Sequence, residues 1–260
     1  MSLDQSNKTE HGVQHVAAGT PFHLPALSDT DLAGEPAIRF AVALDAVNDL
    51  HAKTQQVQAD PHLTGQGKDA QLRPHRERTL DQVAATLEAL DSYSGSLDKR
   101  EAELLRVPEL HREAAAEAII DRELRDYWRS LDMDGRHKLL DAMNSGPEHQ
   151  RLEIALLRSP YAQLDHEIRV VRESWNRGRR IENPTEAFAI EAGRSQVEWG
   201  RRAMSHLSSI TLRTTAMGEG ALKALVSAGR EKAAKAFGYD QGQIEDMKRQ
   251  IQIEKQRSAA

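Results

Sequence analysis

The sequence predicts an all-α protein, an elongated bundle of antiparallel helices and coiled-coil-like hairpins with an irregular N-terminal arm. Two observations carry that expectation. Apolar residues recur at steps of three and four residues in at least four segments, and no stretch alternates with period two for long enough to suggest a strand. The composition agrees: hydrophobic residues are 39%, charged residues 29% and aromatics 4%. Long helices that each bury a narrow stripe suit these proportions better than one broad core.

Residues 1–35 are polar and aperiodic, with Gly19, Pro21, Pro25 and Gly34, and read as an extended or disordered arm carrying one apolar island, Pro21 to Pro25. Pro36 opens the first helix, in which Phe40, Ala43, Val47, Leu50, Thr54 and Val57 follow the stripe. Asp60-Pro61 stops it, because a residue before proline is pushed out of the α region. His62 to Pro74 reads as a loop. The longest helix is expected from about His75 to Arg106, with Leu80, Val83, Leu87, Leu90, Ser94, Leu97, Glu101 and Leu104 on its seam and a bend near Ser94 to Ser96. Val107-Pro108 breaks the chain. Helices are expected next over Pro108 to Leu131, Gly135 to Met143 and Pro147 to Arg158.

The clearest pattern lies between Ser159 and Thr215. Tyr161, Leu164, Ile168, Val171 and Trp175 form one stripe. A loop is expected from Asn176 to Glu182, and a second helix starts with Asn183 as cap, Pro184 in the first turn and Glu186 three residues after the cap. The second seam is Ile190, Gly193, Val197, Gly200, Met204, Leu207 and Thr211. Each glycine costs about 1 kcal/mol against alanine inside a helix, so their place on the seam suggests close approach of a neighbour, with the Tyr161–Trp175 helix the expected one. Residues 36–217 are thus expected to form one bundle. Residues 218–260 would add a loosely attached helical pair, the last helix carrying Ile244, Met247 and Ile251.

Function is less legible. The absence of cysteine excludes disulfides, thiolate metal sites and a cysteine nucleophile. Eleven histidines show no metal-binding spacing, and Asp132-Met133-Asp134-Gly135 has its glycine too early for a calcium loop. Phosphate-binding glycine loops and nucleophile elbows are missing. The expectation is a protein that is not an enzyme and takes no cofactor or metal; a site assembled from distant helices would leave no local motif. Net charge is −5, from 35 basic and 40 acidic residues, which does not favour a dedicated nucleic-acid binder. The alternative is a nucleic-acid-associated regulator that contacts phosphate through Arg177, Arg179, Arg180, Arg201 and Arg202, although Glu173, Glu182, Glu186, Glu191 and Glu198 are interleaved with them. No membrane span or secretion signal is visible, so a cytoplasmic protein, or one packed into an assembly built there, is expected.

Two segments carry a resemblance. Asp60-Pro61-His62-Leu63-Thr64-Gly65-Gln66-Gly67-Lys68 sits between two long helices. Leu139-Leu140-Asp141-Ala142-Met143 leads through short helices to Leu156-Leu157-Arg158-Ser159-Pro160. Together, over less than a quarter of the chain, they resemble structural proteins of tailed bacteriophages and prophages. The resemblance implies a helical minor virion or assembly protein in the head, neck or ejection apparatus. It would be present in several copies, bind itself and other particle components, and be assembled in the bacterial cytoplasm.

Overall fold

The computed structural model describes residues 12–27, 34–111, 113–159, 165–216, 218, 220 and 222–228. Arm residues 1–11, seam residues Tyr161 and Leu164, and the expected last helix with Ile244, Met247 and Ile251 lie outside them. The described chain is mostly helical, with antiparallel packing and one small β-hairpin. It divides into two compact units. The first comprises Met1–Ser94 and Arg194–Ala260, the second Gly95–Gly193. The division falls inside two long helices.

The first unit begins with β1 (Val13–Ala17) and β2 (Thr20–Leu24), paired antiparallel with Ala17 opposite Thr20 and Val13 opposite Leu24. No strand was expected here. Ala18 and Gly19 form the turn, both at positive φ (49° and 74°), as a two-residue hairpin turn requires. In such a hairpin the closing pair, Ala17 and Thr20, exchanges backbone hydrogen bonds. The next pair, Val16 and Pro21, does not, so proline costs the ladder nothing. Asn48 secures the turn from outside: its Oδ1 accepts from Ala18 N at 2.9 Å and its Nδ2 donates to Val16 O at 3.2 Å.

Helix α1 (Glu35–Ala59) has proline in its first turn and ends before Asp60-Pro61, as expected. Helix α2 (Gly65–Leu104) starts earlier than expected. The Thr64 hydroxyl accepts from Gly67 N at 3.1 Å and caps it, so the expected loop His62–Pro74 is helical from Gly65, with Pro74 inside the helix. It also continues through Ser94–Ser96. The Thr79 hydroxyl donates to Ala46 O at 3.2 Å, and Thr86 Oγ1 lies 3.4 Å from Arg39 O, which sets α1 and α2 antiparallel. The core joins Phe22 and Leu24 of the hairpin to Phe40, Val47, Leu80, Val83 and Leu90. The C-terminal half of α7 (Pro184–Thr215) adds Trp199, Met204 and Leu207. Residues 222–228 are helical, and Leu222 is buried in the same core.

The second unit holds the end of α2, then α3 (Ala115–Ser130), α4 (Met133–Ser145), a short 3-10 turn (Pro147–His149), α5 (Gln150–Leu157), α6 (Asp165–Glu182) and the start of α7. Asp132 caps α4, its Oδ1 accepting from Gly135 N at 2.8 Å. Trp128, Leu140, Met143, Leu152, Leu156 and Val171 form the core. Asp121 is buried on α3 and ion-paired to Arg158 at 3.0 Å and Arg151 at 2.6 Å; Arg158 also donates to Pro108 O at 2.6 Å.

The expected loop Asn176–Glu182 is a correction: it is the last part of α6, and the break before α7 is at Asn183. Arg179 Nε donates to Leu104 O at 3.1 Å and Arg180 pairs with Glu101 at 2.7 Å, so the arginine run docks on the end of α2 as a helix. Gly178 lies inside this helix and makes no turn, and nothing lies within 4 Å of a Cβ built there. Asn183 looks both ways. Its amide Nδ2 donates back to Arg179 O at 3.0 Å, while its carbonyl accepts from Ala187 N at 3.0 Å. Glu186 does not reach back to complete a capping box; it forms a two-pronged pair with Arg100 at 2.8 and 3.0 Å.

Candidate functional site

Along the expected seam, Val171, Trp175, Ile190, Gly193, Val197, Gly200, Met204 and Leu207 are buried, and Ile168 is half-buried. The neighbour expected for Gly200 is corrected. It faces Leu90 of α2 and Pro36 at the start of α1, within the first unit. Phe188, on the other side of α7, is 74% exposed.

The arginines are committed to internal contacts. Arg179 pairs with Glu182 at 2.7 Å and covers the Trp175 ring, with its guanidinium carbon 5.7 Å from the ring centroid. Arg180 meets Glu101, Arg201 meets Asp91 at 3.7 Å, and Arg202 meets Glu198. Arg177 donates to Asn144 O at 2.6 Å and to Asn144 Oδ1 at 3.2 Å. Arg177, Arg179 and Arg180 belong to the second unit, Arg201 and Arg202 to the first. Exposed pairs of this kind contribute little to stability but neutralise the local field.

The more open feature of the first unit is apolar. The hairpin docks on α1 and α7 through aromatic rings. Phe22 stacks on His15 and His206 (centroids 5.7 and 5.5 Å) and meets Phe40 edge-on. Phe40 in turn meets Trp199 edge-on at 5.3 Å. Trp199 Nε1 donates to Pro25 O at 2.9 Å and holds the chain leaving β2. Burial lowers the His15 pKa and favours its neutral ring. Beside this cluster runs an open groove of about 430 Å³ bordered by Val13, Ile38, Val42 and Asp45, with Phe40 and Trp199 in its wall. Val13, Ile38 and Val42 are 47%, 53% and 46% exposed, and Val16 on the hairpin is 49% exposed.

Neither Val13 nor Val16 stood out in the sequence, because five-residue strands are too short to show a period. Ile38 and Val42 did have a signal. They lie four apart on α1 and off its buried stripe, so the helix carries a second apolar face. Among the described residues no group of three or more His, Asp or Glu side chains is arranged to hold a metal, and no helix is long and apolar enough to cross a membrane. No family model, curated protein or solved structure matches the chain.

Proposed function

We propose that this chain is a non-enzymatic structural or assembly protein, and that the groove between the hairpin and α1 is where it binds another protein. The observation that carries the reading is the second apolar face of α1. Ile38 and Val42 are about half exposed beside a groove walled by aromatic rings, and clustered exposed apolar surface of this kind marks interaction sites in soluble proteins. Exposed Val13 extends the face onto the hairpin, so the binding surface combines two elements, joined by the Asn48 bonds from α1 to the turn. The helical architecture is compatible with a repeated particle component, and the resemblance to tailed-phage structural proteins supports a minor virion role in head, neck or ejection apparatus.

The test has two arms. Ile38→Asp and Val42→Asp place charge on the face without touching the buried stripe. Each should leave the circular dichroism spectrum unchanged and abolish self-association or partner binding, measured by light scattering and crosslinking mass spectrometry. Mass spectrometry of particles from the source, where it is viral, should find the chain in virions or assembly intermediates. Absence from both would remove the particle assignment, and unchanged association of both variants would remove the groove.

A further inference from the structure

The second unit holds a smaller cleft, of about 200 Å³, where the end of α4 and the start of α5 meet the C-terminal half of α6. Its apolar lining is Met143, Trp175 and Ile181. Its polar lining includes Gln150, Glu153 and Arg177. Glu153 is unusual among these groups. It is 5% exposed, yet no cation pairs with it among the described residues. Arg177, the nearby guanidinium, donates instead to Asn144, and Gln150 donates to Glu182 at 2.7 Å.

Among the described residues, the polar side chain bonded to Glu153 is Ser174, whose Oγ lies 2.5 Å from Glu153 Oε1 and 2.8 Å from Met143 O. A hydroxyl has a single proton, so it cannot donate to both. With Glu153 protonated, the carboxyl donates to Ser174 and Ser174 donates to Met143. Once Glu153 ionises, one of the two acceptors loses its donor. Burial holds the Glu153 pKa above the ordinary carboxylate value, against the opposing pull of Ser174, His149 and Arg177. A buried carboxyl without an ion-pair partner among the described residues, in a cleft beside a tryptophan, is a candidate recognition group.

We propose that this cleft binds a small organic ammonium ion, its charged head against Glu153 and its hydrocarbon or aromatic body along Trp175 and Ile181. An ammonium supplies positive charge and up to three donors, which is what ionised Glu153 and the oxygens of Ser174 and Met143 lack. An anion is disfavoured because Glu182 also lines the cleft and Arg177 is already engaged. The volume admits roughly six or seven waters at about 30 Å³ each, so the ligand is small. The inference concerns the second unit alone and does not depend on the groove of the first.

Benzylamine is a suitable probe and benzyl alcohol its neutral counterpart. Titrated into the full chain, benzylamine should shift the Trp175 indole resonance and saturate with a Kd of about 1 mM or tighter, while benzyl alcohol should not. Affinity should rise as pH rises through the raised Glu153 pKa, and binding should release a proton, seen by calorimetry in buffers of different ionisation heat. Glu153→Gln should fold, as judged by circular dichroism and thermal melting, and weaken binding by about tenfold or more. Glu153→Asp, which keeps the charge but withdraws it, should bind more weakly than the parent and better than Glu153→Gln. Equal shifts with benzyl alcohol, unchanged affinity in Glu153→Gln, or no saturation by benzylamine at any pH would overturn the proposal.

Discussion

Leu90 occupies the space that a side chain at position 200 would need. An alanine Cβ at Gly200 would lie 2.8 Å from Leu90 Cδ2 and 3.3 Å from Pro36 Cβ. Overpacking of a core contact typically costs about 1–3 kcal/mol, and the helix-propensity gain of alanine returns about 1. The Leu90 methyl can rotate aside more easily than the proline ring at the helix start. Gly200→Ala should therefore destabilise the chain by about 1 kcal/mol net, read as a lower urea midpoint at unchanged slope. A more stable variant would show that α7 does not approach α1 and α2 this closely.

Gly178 and Gly95 should respond with the opposite sign. Both lie inside helices, and a Cβ at either meets nothing within 4 Å. Gly178→Ala and Gly95→Ala should each stabilise by about 0.8–1 kcal/mol through propensity alone. Thermal melts of the three glycine variants side by side separate packing from propensity. Loss of stability in Gly178→Ala would restore a turn in the stretch that α6 occupies.

Glu153 makes stability depend on pH. Its native pKa is raised, so the folded chain holds the proton more tightly than the unfolded chain. That contribution is complete below the ordinary glutamate value and is lost as pH rises through the native pKa. Glu153→Gln keeps a donor for Ser174 without titrating. It should be more stable than the parent at neutral pH, with the difference shrinking as pH falls toward the ordinary carboxylate range. Chemical denaturation at several pH values checks this, and a difference that stays constant with pH would be inconsistent with a buried titrating carboxyl.

Asn48 anchors a turn in which alanine adopts positive φ, a conformation that non-glycine residues rarely take. Asn48→Ala removes both amide contacts to the hairpin. At about 0.5–1.5 kcal/mol per hydrogen bond, local opening should become roughly ten times easier. Hydrogen exchange at residues 13–24 should accelerate accordingly while amides in α4 and α6 keep their protection. A uniform change across the chain would mean that the hairpin does not open by itself.

The helices and their buried stripes were legible because burial repeats at helical steps: Val47, Leu80, Val83, Val171 and Met204 are all buried. A stop with a local cause was legible as well, at Asp60-Pro61. Glycine and proline misled where their usual meaning was overridden. Gly65 and Gly67 sit in a first turn whose amide groups have no intrahelical acceptor, and the Thr64 cap offsets their cost. Gly178 lies in a run fixed by arginine contacts to the end of α2. Position 200 was readable as a close contact, but its partner was not, because Leu90 and Pro36 are distant in sequence. Glu153 was invisible for the same reason: its setting comes from Ser174 on another helix.

The bond between Trp199 and Pro25 spans 174 positions of chain. During synthesis at about 5–20 residues per second, Trp199 is made roughly 9–35 s after Pro25. The second unit is encoded wholly within that interval, so its residues are all available before the first unit can close. Through the wait, Phe22 and Leu24 lack the α7 residues that complete their core, and the nascent first unit is exposed to chaperones or to stray association on the ribosome.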